Sequence, residues 1–435
     1  MPSVCFYFQV HQPYRMRPYR VFDIGTKASY FNDELNKEIC EKVARKCYLP
    51  TNKLMLQLIK ENPGKFKISY SISGITLEQF EEYSPEVLAS FKELAATGQV
   101  EFLAETYYHS LSALFDPQEF RSQVEKHVEA IKEHFGVTPT AFRNTELIYS
   151  NEIAAMVEAM GFKVMLTEGA DQILGHRSPA HVYAPMHSDD MKLLLKSYKL
   201  SDDIAFRFSE RSWPSWPLTP DKFAMWAHKL AGNGETLNLF MDYETFGEHQ
   251  WEETGIFEFL RHLPAALLKH PDFDFATPSE VADRYPAREK LDVPIPISWA
   301  DMERDTSAWL GNPMQDGAIA WVYKVGEQVR ATNDPKLLHT WRKLQTSDHF
   351  YYMCTKFWAD GDVHKHFSCY ESPHEAYVYL SNILTDLEML LEEHPVHAKK
   401  RSMDAFSAPK KRPEAEQPAR PTSLPRPRRT RPLSL

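Results

Sequence analysis

Apolar residues gather in seven short runs, separated by stretches whose apolar positions recur every three or four residues. The runs cover residues 3–11 (SVCFYFQVH), 66–73 (FKISYSIS), 100–109 (VEFLAETYYH), 141–146 (AFRNTE), 163–169 (KVMLTEG), 191–198 (MKLLLKSY) and 237–244 (LNLFMDYE). Short, nearly continuous and rich in Val, Phe and Tyr, they predict parallel strands buried on both faces. The stretches at 85–97 and 117–135 predict helices, and strand alternating with helix implies a parallel sheet with right-handed crossovers. We read an α/β barrel of about seven strands over residues 1–290; an open doubly wound sheet would give the same pattern. From residue 291 the pattern turns helical, most clearly at 317–331, 335–353 and 373–393, which predicts a helical domain over 291–396 packed on the barrel. Residues 397–435 are Pro, Arg and Ser with few large apolar side chains, so they predict a disordered tail.

Charge sharpens this division. The chain carries a formal −10, but residues 399–435 hold 11 Lys or Arg against 3 Asp or Glu. That tail is therefore +8, which leaves −18 on the body. An acidic body argues against nucleic acid as a partner, because such binding needs a basic face. The five cysteines form no CxxC pair, an arrangement that fits free thiols in the reducing cytoplasm better than a disulfide framework. With no run of 18 apolar residues, membrane insertion is not expected either.

The candidate chemistry lies where strands end, because the C-terminal rim of a parallel sheet is where reactive groups gather. Glu146 follows a short strand, and Arg143 and Asn144 beside it could hold its carboxylate ionised, the state that covalent glycosyl transfer needs in a nucleophile. On the run FMDYETFGEHQW (240–251), Asp242 and Glu244 lie two apart, share a face and crowd each other, which can raise one pKa and make a general acid. Gly247 lets this segment turn, after which Glu248, His249 and Trp251 offer hydrogen bonds and a stacking surface. His11 and His109 end two other runs at equivalent rim positions, which points to a shared pocket. No two of the 18 histidines are spaced as HxxxH, so a catalytic metal is not expected. Neither GxGxxG, GxxxxGK[ST] nor GxSxG occurs, which removes the simplest nucleotide-binding and esterase readings. Trp213, Trp216, Trp251 and Trp309 fall in or near Pro- and Gly-containing loops, and indoles there would suit the flat apolar face of a sugar.

Five segments together resemble glycoside hydrolase family 57, in its α-amylase branch: 10–14 (VHQPY), 98–111 (GQVEFLAETYYHSL), 142–150 (FRNTELIYS), 240–251, and 309–315 (WLGNPMQ). The resemblance implies a (β/α)7 barrel followed by a helical domain, and a retaining mechanism on α-1,4-glucans or maltooligosaccharides with neither metal nor other cofactor. It carries the nucleophile onto Glu146 and the general acid/base onto Asp242. His11, His109, Arg143, Glu244, His249, Trp251 and Trp309 would contact substrate. The alternatives are a 4-α-glucanotransferase or branching-type transglycosylase of the same family, a metal-dependent sugar deacetylase or mannosidase on a related barrel, and a non-catalytic glucan-binding protein. The basic Pro-rich tail departs from the family pattern.

Overall fold

The computed structural model describes residues 2–188, 190–356 and 368–396. Among the described residues there are ten strands: β1 (Ser3–Val10), β2 (Ile68–Ile72), β3 (Val100–Phe102), β4 (Ala141–Arg143), β5 (Val164–Glu168), β6 (Tyr183–Pro185), β7 (Lys192–Lys196), β8 (Thr236–Asp242), β9 (Asp274–Phe275) and β10 (Glu289–Leu291). They form two sheets, β3-β2-β1-β8 with β9 beside β1, and β4-β5-β7 extended by β6 and β10. Two seams join the sheets. Ala104 pairs in parallel with Phe142 just beyond β3, and Ser197 N–H donates to Asn238 O at 2.9 Å between β7 and β8. The Asn238 side chain reinforces the second seam by donating to Leu195 O at 2.8 Å. The result is a closed ring of seven parallel strands, β1-β2-β3-β4-β5-β7-β8. Each falls on one of the seven apolar runs.

Alternation along each strand sorts its side chains between two environments. On β1, Val4, Phe6, Phe8 and Val10 face the surrounding helices, while Cys5 and Tyr7 face the barrel interior. On β8, Leu237, Leu239 and Met241 face the helices and Phe240 faces inward. On β4 and β5, Ala141, Val164 and Leu166 point inward, and Phe142 and Met165 point outward. Continuing these inward positions toward the strand C-termini reaches Gln9, Arg143, Glu168, Lys196 and Asp242. The interior is thus apolar at its base and polar at its rim.

Beyond the barrel lie helices Pro313–Lys324, Gly326–Thr332, Pro335–Lys343, Ser347–Tyr351 and Pro373–Glu393. Their Ile319, Val322, Trp341, Leu380 and Leu384 share one apolar cluster with Phe142, Met165 and Leu193 of the barrel. Two of the expected helices are broken. The 317–331 stretch divides at Gly326, where a Cβ would come within 2.5 Å of the Trp341 ring. The 335–353 stretch divides at 344–346, because Thr346 leaves the helix to pair with Ser110. Helix Pro373–Glu393 runs unbroken as expected. The expected disordered tail lies outside the described residues.

Candidate active site

Glu146 sits immediately after β4 in a tight turn whose backbone is left-handed at two successive residues, Glu146 (φ 58°) and Leu147 (φ 53°). Such conformations are costly for residues other than glycine and persist only where the surroundings enforce them. Here Asn144 Nδ2 donates to Ile148 O at 3.0 Å, Thr145 and Thr106 share a hydroxyl contact at 2.8 Å, and Trp299 N–H donates to Glu146 O at 3.2 Å. The carboxylate is gripped as firmly. One oxygen accepts from Trp299 Nε1 at 2.7 Å; the other accepts from Ser347 Oγ at 3.1 Å and lies 3.4 Å from His109 Nε2. Burial alone would raise this carboxyl, but hydrogen bonding and charge from His109, helped by Arg143, hold it below the ordinary carboxylate range.

Asp242 closes β8 on the inward face and shares with Glu146 a cavity of about 430 Å³. Its carboxyl is pushed up to about 6, first by burial and then by the negative charge of Glu146. Glu244 is buried beneath the same cavity, where Tyr48 Oη donates to it, and is pushed up to about 8 by burial and by Asp242. The crowding of Asp242 by Glu244 expected from their spacing therefore acts mainly on Glu244, and Asp242 answers to Glu146.

The two rim histidines stack face to face, their centroids 3.9 Å apart at 19°. Only one carries the charge. His109 Nδ1 bonds Glu105 at 2.7 Å, and although burial opposes protonation, Glu105 and Glu146 together raise it to about 9. His11 is driven below its ordinary value by burial and by the charge on His109, against the pull of Asp348, whose carboxylate lies 3.0 Å from His11 Nε2. Glu105 is fixed by Gln9 Nε2 at 3.0 Å and lowered to about 2, since the His109 contacts outweigh burial. Among the described residues, no three His, Cys, Asp or Glu side chains converge as a metal-ligating group.

A cavity holding one ionised and one raised carboxyl, on a seven-stranded parallel barrel, is the frame in which the relatives are informative. The family model described as glycosyl hydrolase family 57 matches residues 5–294, a range that reaches every barrel strand. The chain belongs to glycosyl hydrolase family 57. A Methanocaldococcus jannaschii protein named "Putative alpha-amylase" is 45% identical over 403 residues, 90% of this chain and 85% of that one. Among solved structures, the family 57-type branching enzyme of Pyrococcus horikoshii superposes with a TM-score of 0.64 at 14% identity, covering 93% of this chain and 95% of its own. The α-amylase AmyC of Thermotoga maritima gives 0.58 at 13% identity over 93% and 97%. These two likenesses speak to fold.

Within this family 57 enzyme the cavity brings together Glu146, Asp242, Glu244, His11, His109 and His249. Three residues expected at the sugar are placed elsewhere. Arg143 is 0% exposed, 4.0 Å from Glu105 and 4.9 Å beneath the Trp299 ring, so it acts through its charge and cannot touch a ligand in the cavity. Trp309 is 1% exposed and packs on Tyr351 in the core. Trp251 is 60% exposed and stands outside the cavity, beside Lys46. Sequence reasoning missed Trp299, Ser347 and Asp348, which reach the site from the segment after the barrel. Their signal is weak, since Trp299 lies in an irregular stretch and Asp348 sits on what reads as a plain amphipathic helix. Glu105 was legible in principle, because it precedes His109 by four residues within the strand-and-rim segment already singled out. Lys196 was within reach too: it occupies the inward rim position of β7, 5.2 Å over the Trp299 ring.

Proposed function

We propose that this enzyme hydrolyses α-1,4-linked glucans by a retaining, two-step mechanism in which Glu146 is the nucleophile and Asp242 the general acid/base. The observation that carries the reading is the opposite displacement of two carboxyls facing one cavity, Glu146 lowered and Asp242 raised to about 6. In the first step Asp242 gives its proton to the glycosidic oxygen while the Glu146 carboxylate attacks the anomeric carbon, forming a glycosyl ester and releasing the shortened glucan. Once that ester forms, the Glu146 charge is gone. Its upward push on Asp242 goes with it, so Asp242 stays ionised after giving up its proton and is available as the base for the water that opens the ester in the second step. The protonated His109 and Trp299 Nε1 hold the carboxylate in one orientation before attack. Glu244, neutral near pH 7, serves as a hydrogen-bonding wall rather than a second base. We also place the enzyme in the reducing cytoplasm, a reading supported by its five free cysteines. Among the described residues no helix is long and apolar enough to cross a membrane.

The direct test uses Asp242→Ala with maltosyl fluoride, a donor whose leaving group needs no acid. Glycosylation should proceed and hydrolysis of the ester should stall, so mass spectrometry of the digested protein is expected to find the maltosyl mass on the peptide containing Glu146. A modified peptide elsewhere, or none, would overturn the assignment.

A further inference from the structure

The loop after β8 faces two ways. Glu244 and His249 look into the catalytic cavity, while Gly247 and Trp251 border a separate surface depression of about 660 Å³ that shares no lining residue with it. The loop is tied down between the two by Glu248, which pairs with Lys42 at 2.6 Å and Lys46 at 3.8 Å. Gly247, at φ 107° with Lys46 O only 2.0 Å from where a Cβ would sit, allows no other residue at this turn. The position of Trp251 is therefore built and not incidental, yet its indole is left 60% exposed, with Lys46 Nζ 5.8 Å from the ring centroid. An exposed indole held in a fixed place offers a large apolar face on which a ligand can pack.

The surroundings of that ring define the ligand. Arg45, Lys46, Lys53 and Arg261 stand against Glu252, Glu253 and Glu258, so donors and acceptors are both abundant and the charges nearly cancel. An anionic ligand would need cations in excess, and a basic peptide the reverse. Arg261 Nη1 donates to the Gln57 side chain at 3.1 Å, joining the two helices that flank the depression. An exposed indole ringed by hydrogen-bonding groups of both kinds, with little net charge, matches a neutral polyhydroxylated chain whose sugar rings present an apolar face.

We infer that the Trp251 depression is a second glucan-binding site, which holds a polymeric α-glucan on the enzyme while another part of the same chain occupies the catalytic cavity. The identity of the ligand rests on the glucan-hydrolase reading proposed above. Two sites on one polymer raise the local concentration of chain at the cavity, and an oligosaccharide too short to span them gains nothing.

The test is native electrophoresis of the full-length protein through gels containing glycogen, a readout that needs no turnover, comparing wild type with Trp251→Ala and Trp251→Phe. Wild type is expected to be retarded, Trp251→Ala to lose most of that retardation and Trp251→Phe to keep part of it, with unchanged melting curves because the side chain is largely exposed. In parallel, Trp251→Ala should raise KM for glycogen about three- to tenfold and leave kcat/KM for maltotriose unaltered. Equal retardation of wild type and Trp251→Ala, or no retardation at all, would overturn the inference. So would an equal loss on glycogen and maltotriose, which would return Trp251 to the catalytic cavity. Retardation that depends on Trp251 in a protein that cleaves no glucan would uphold the second site and sink the hydrolase reading instead.

Discussion

Opposed protonation states among buried groups facing one cavity are what the residues of this site achieve. Glu146 stays ionised because three donors surround it, and Asp242 stays protonated to about pH 6 because burial and the Glu146 charge both disfavour its anion. The pH dependence of kcat/KM should therefore fall on its alkaline side near pH 6 as Asp242 loses its proton, and on its acid side below the ordinary carboxylate range as Glu146 gains one. Trp299→Phe removes one donor to Glu146 and keeps the ring over Arg143 and Lys196. It should shift the acid limb upward and leave the alkaline limb in place, while kcat falls roughly tenfold, as the loss of one hydrogen bond to a charged group implies. Movement of both limbs together would mean that Trp299 acts on the Asp242 carboxyl as well as on Glu146.

Short elements outside the barrel complete the site, and this is where the sequence is least legible. Strands announce themselves by apolar runs, and the inward positions at their ends are found by counting in twos, so Asp242 and His11 could be anticipated, whereas His109 lies past a turn seven residues beyond the end of β3 and was reached only through its aromatic-rich segment. No such periodicity locates helix Ser347–Tyr351. Its register depends on Thr346, whose Oγ1 donates to Tyr108 O at 3.0 Å, and on Ser347 N–H, which donates to His109 O at 2.9 Å. These are contacts between segments more than 200 residues apart. The expected contacts of Arg143, Trp251 and Trp309 differ from their placement for the same reason: residue type and spacing put a side chain on a segment but do not say whether neighbouring elements bury it, as with Arg143 and Trp309, or which surface it faces, as with Trp251. Thr346→Val should cost about 1–2 kcal/mol in denaturant unfolding through the unmade hydrogen bond and lower kcat by displacing Ser347 and Asp348. Asp334→Ala, which strips the cap from helix Pro335–Lys343, should cost about 1 kcal/mol without touching kcat. Equal effects of the two on kcat would make the helix a mere support.

For the whole molecule, the buried groups of the barrel interior combine into one measurable pH dependence. His109 is raised to about 9, Glu244 to about 8 and Glu168 to about 7, so above pH 7 the folded state retains protons that the unfolded chain has largely released. Stability from groups raised in this way is present at lower pH and is lost as pH climbs through their folded values. The lowered carboxyls Glu105, Glu146 and Asp348 have finished titrating in both states well below that range. The lowered histidines His11, His127, His134, His339 and His349 act in the opposite sense while their unfolded forms titrate around 6.5 and little above 7, and Lys126, lowered to about 8, opposes part of the fall from about pH 7 upward. Tm should therefore fall from pH 7 to 8, less steeply in Glu244→Gln, and a flat or rising profile there would show that these protons are not held. The central claim, a retaining α-glucanase with Glu146 as nucleophile, is tested most directly by proton NMR of maltoheptaose during the first minutes of turnover, with Glu146→Gln alongside. Loss of α-1,4 linkage signal with the α-anomer appearing first, and neither change in Glu146→Gln, is the result expected; the β-anomer appearing first, or undiminished turnover in the variant, would contradict it.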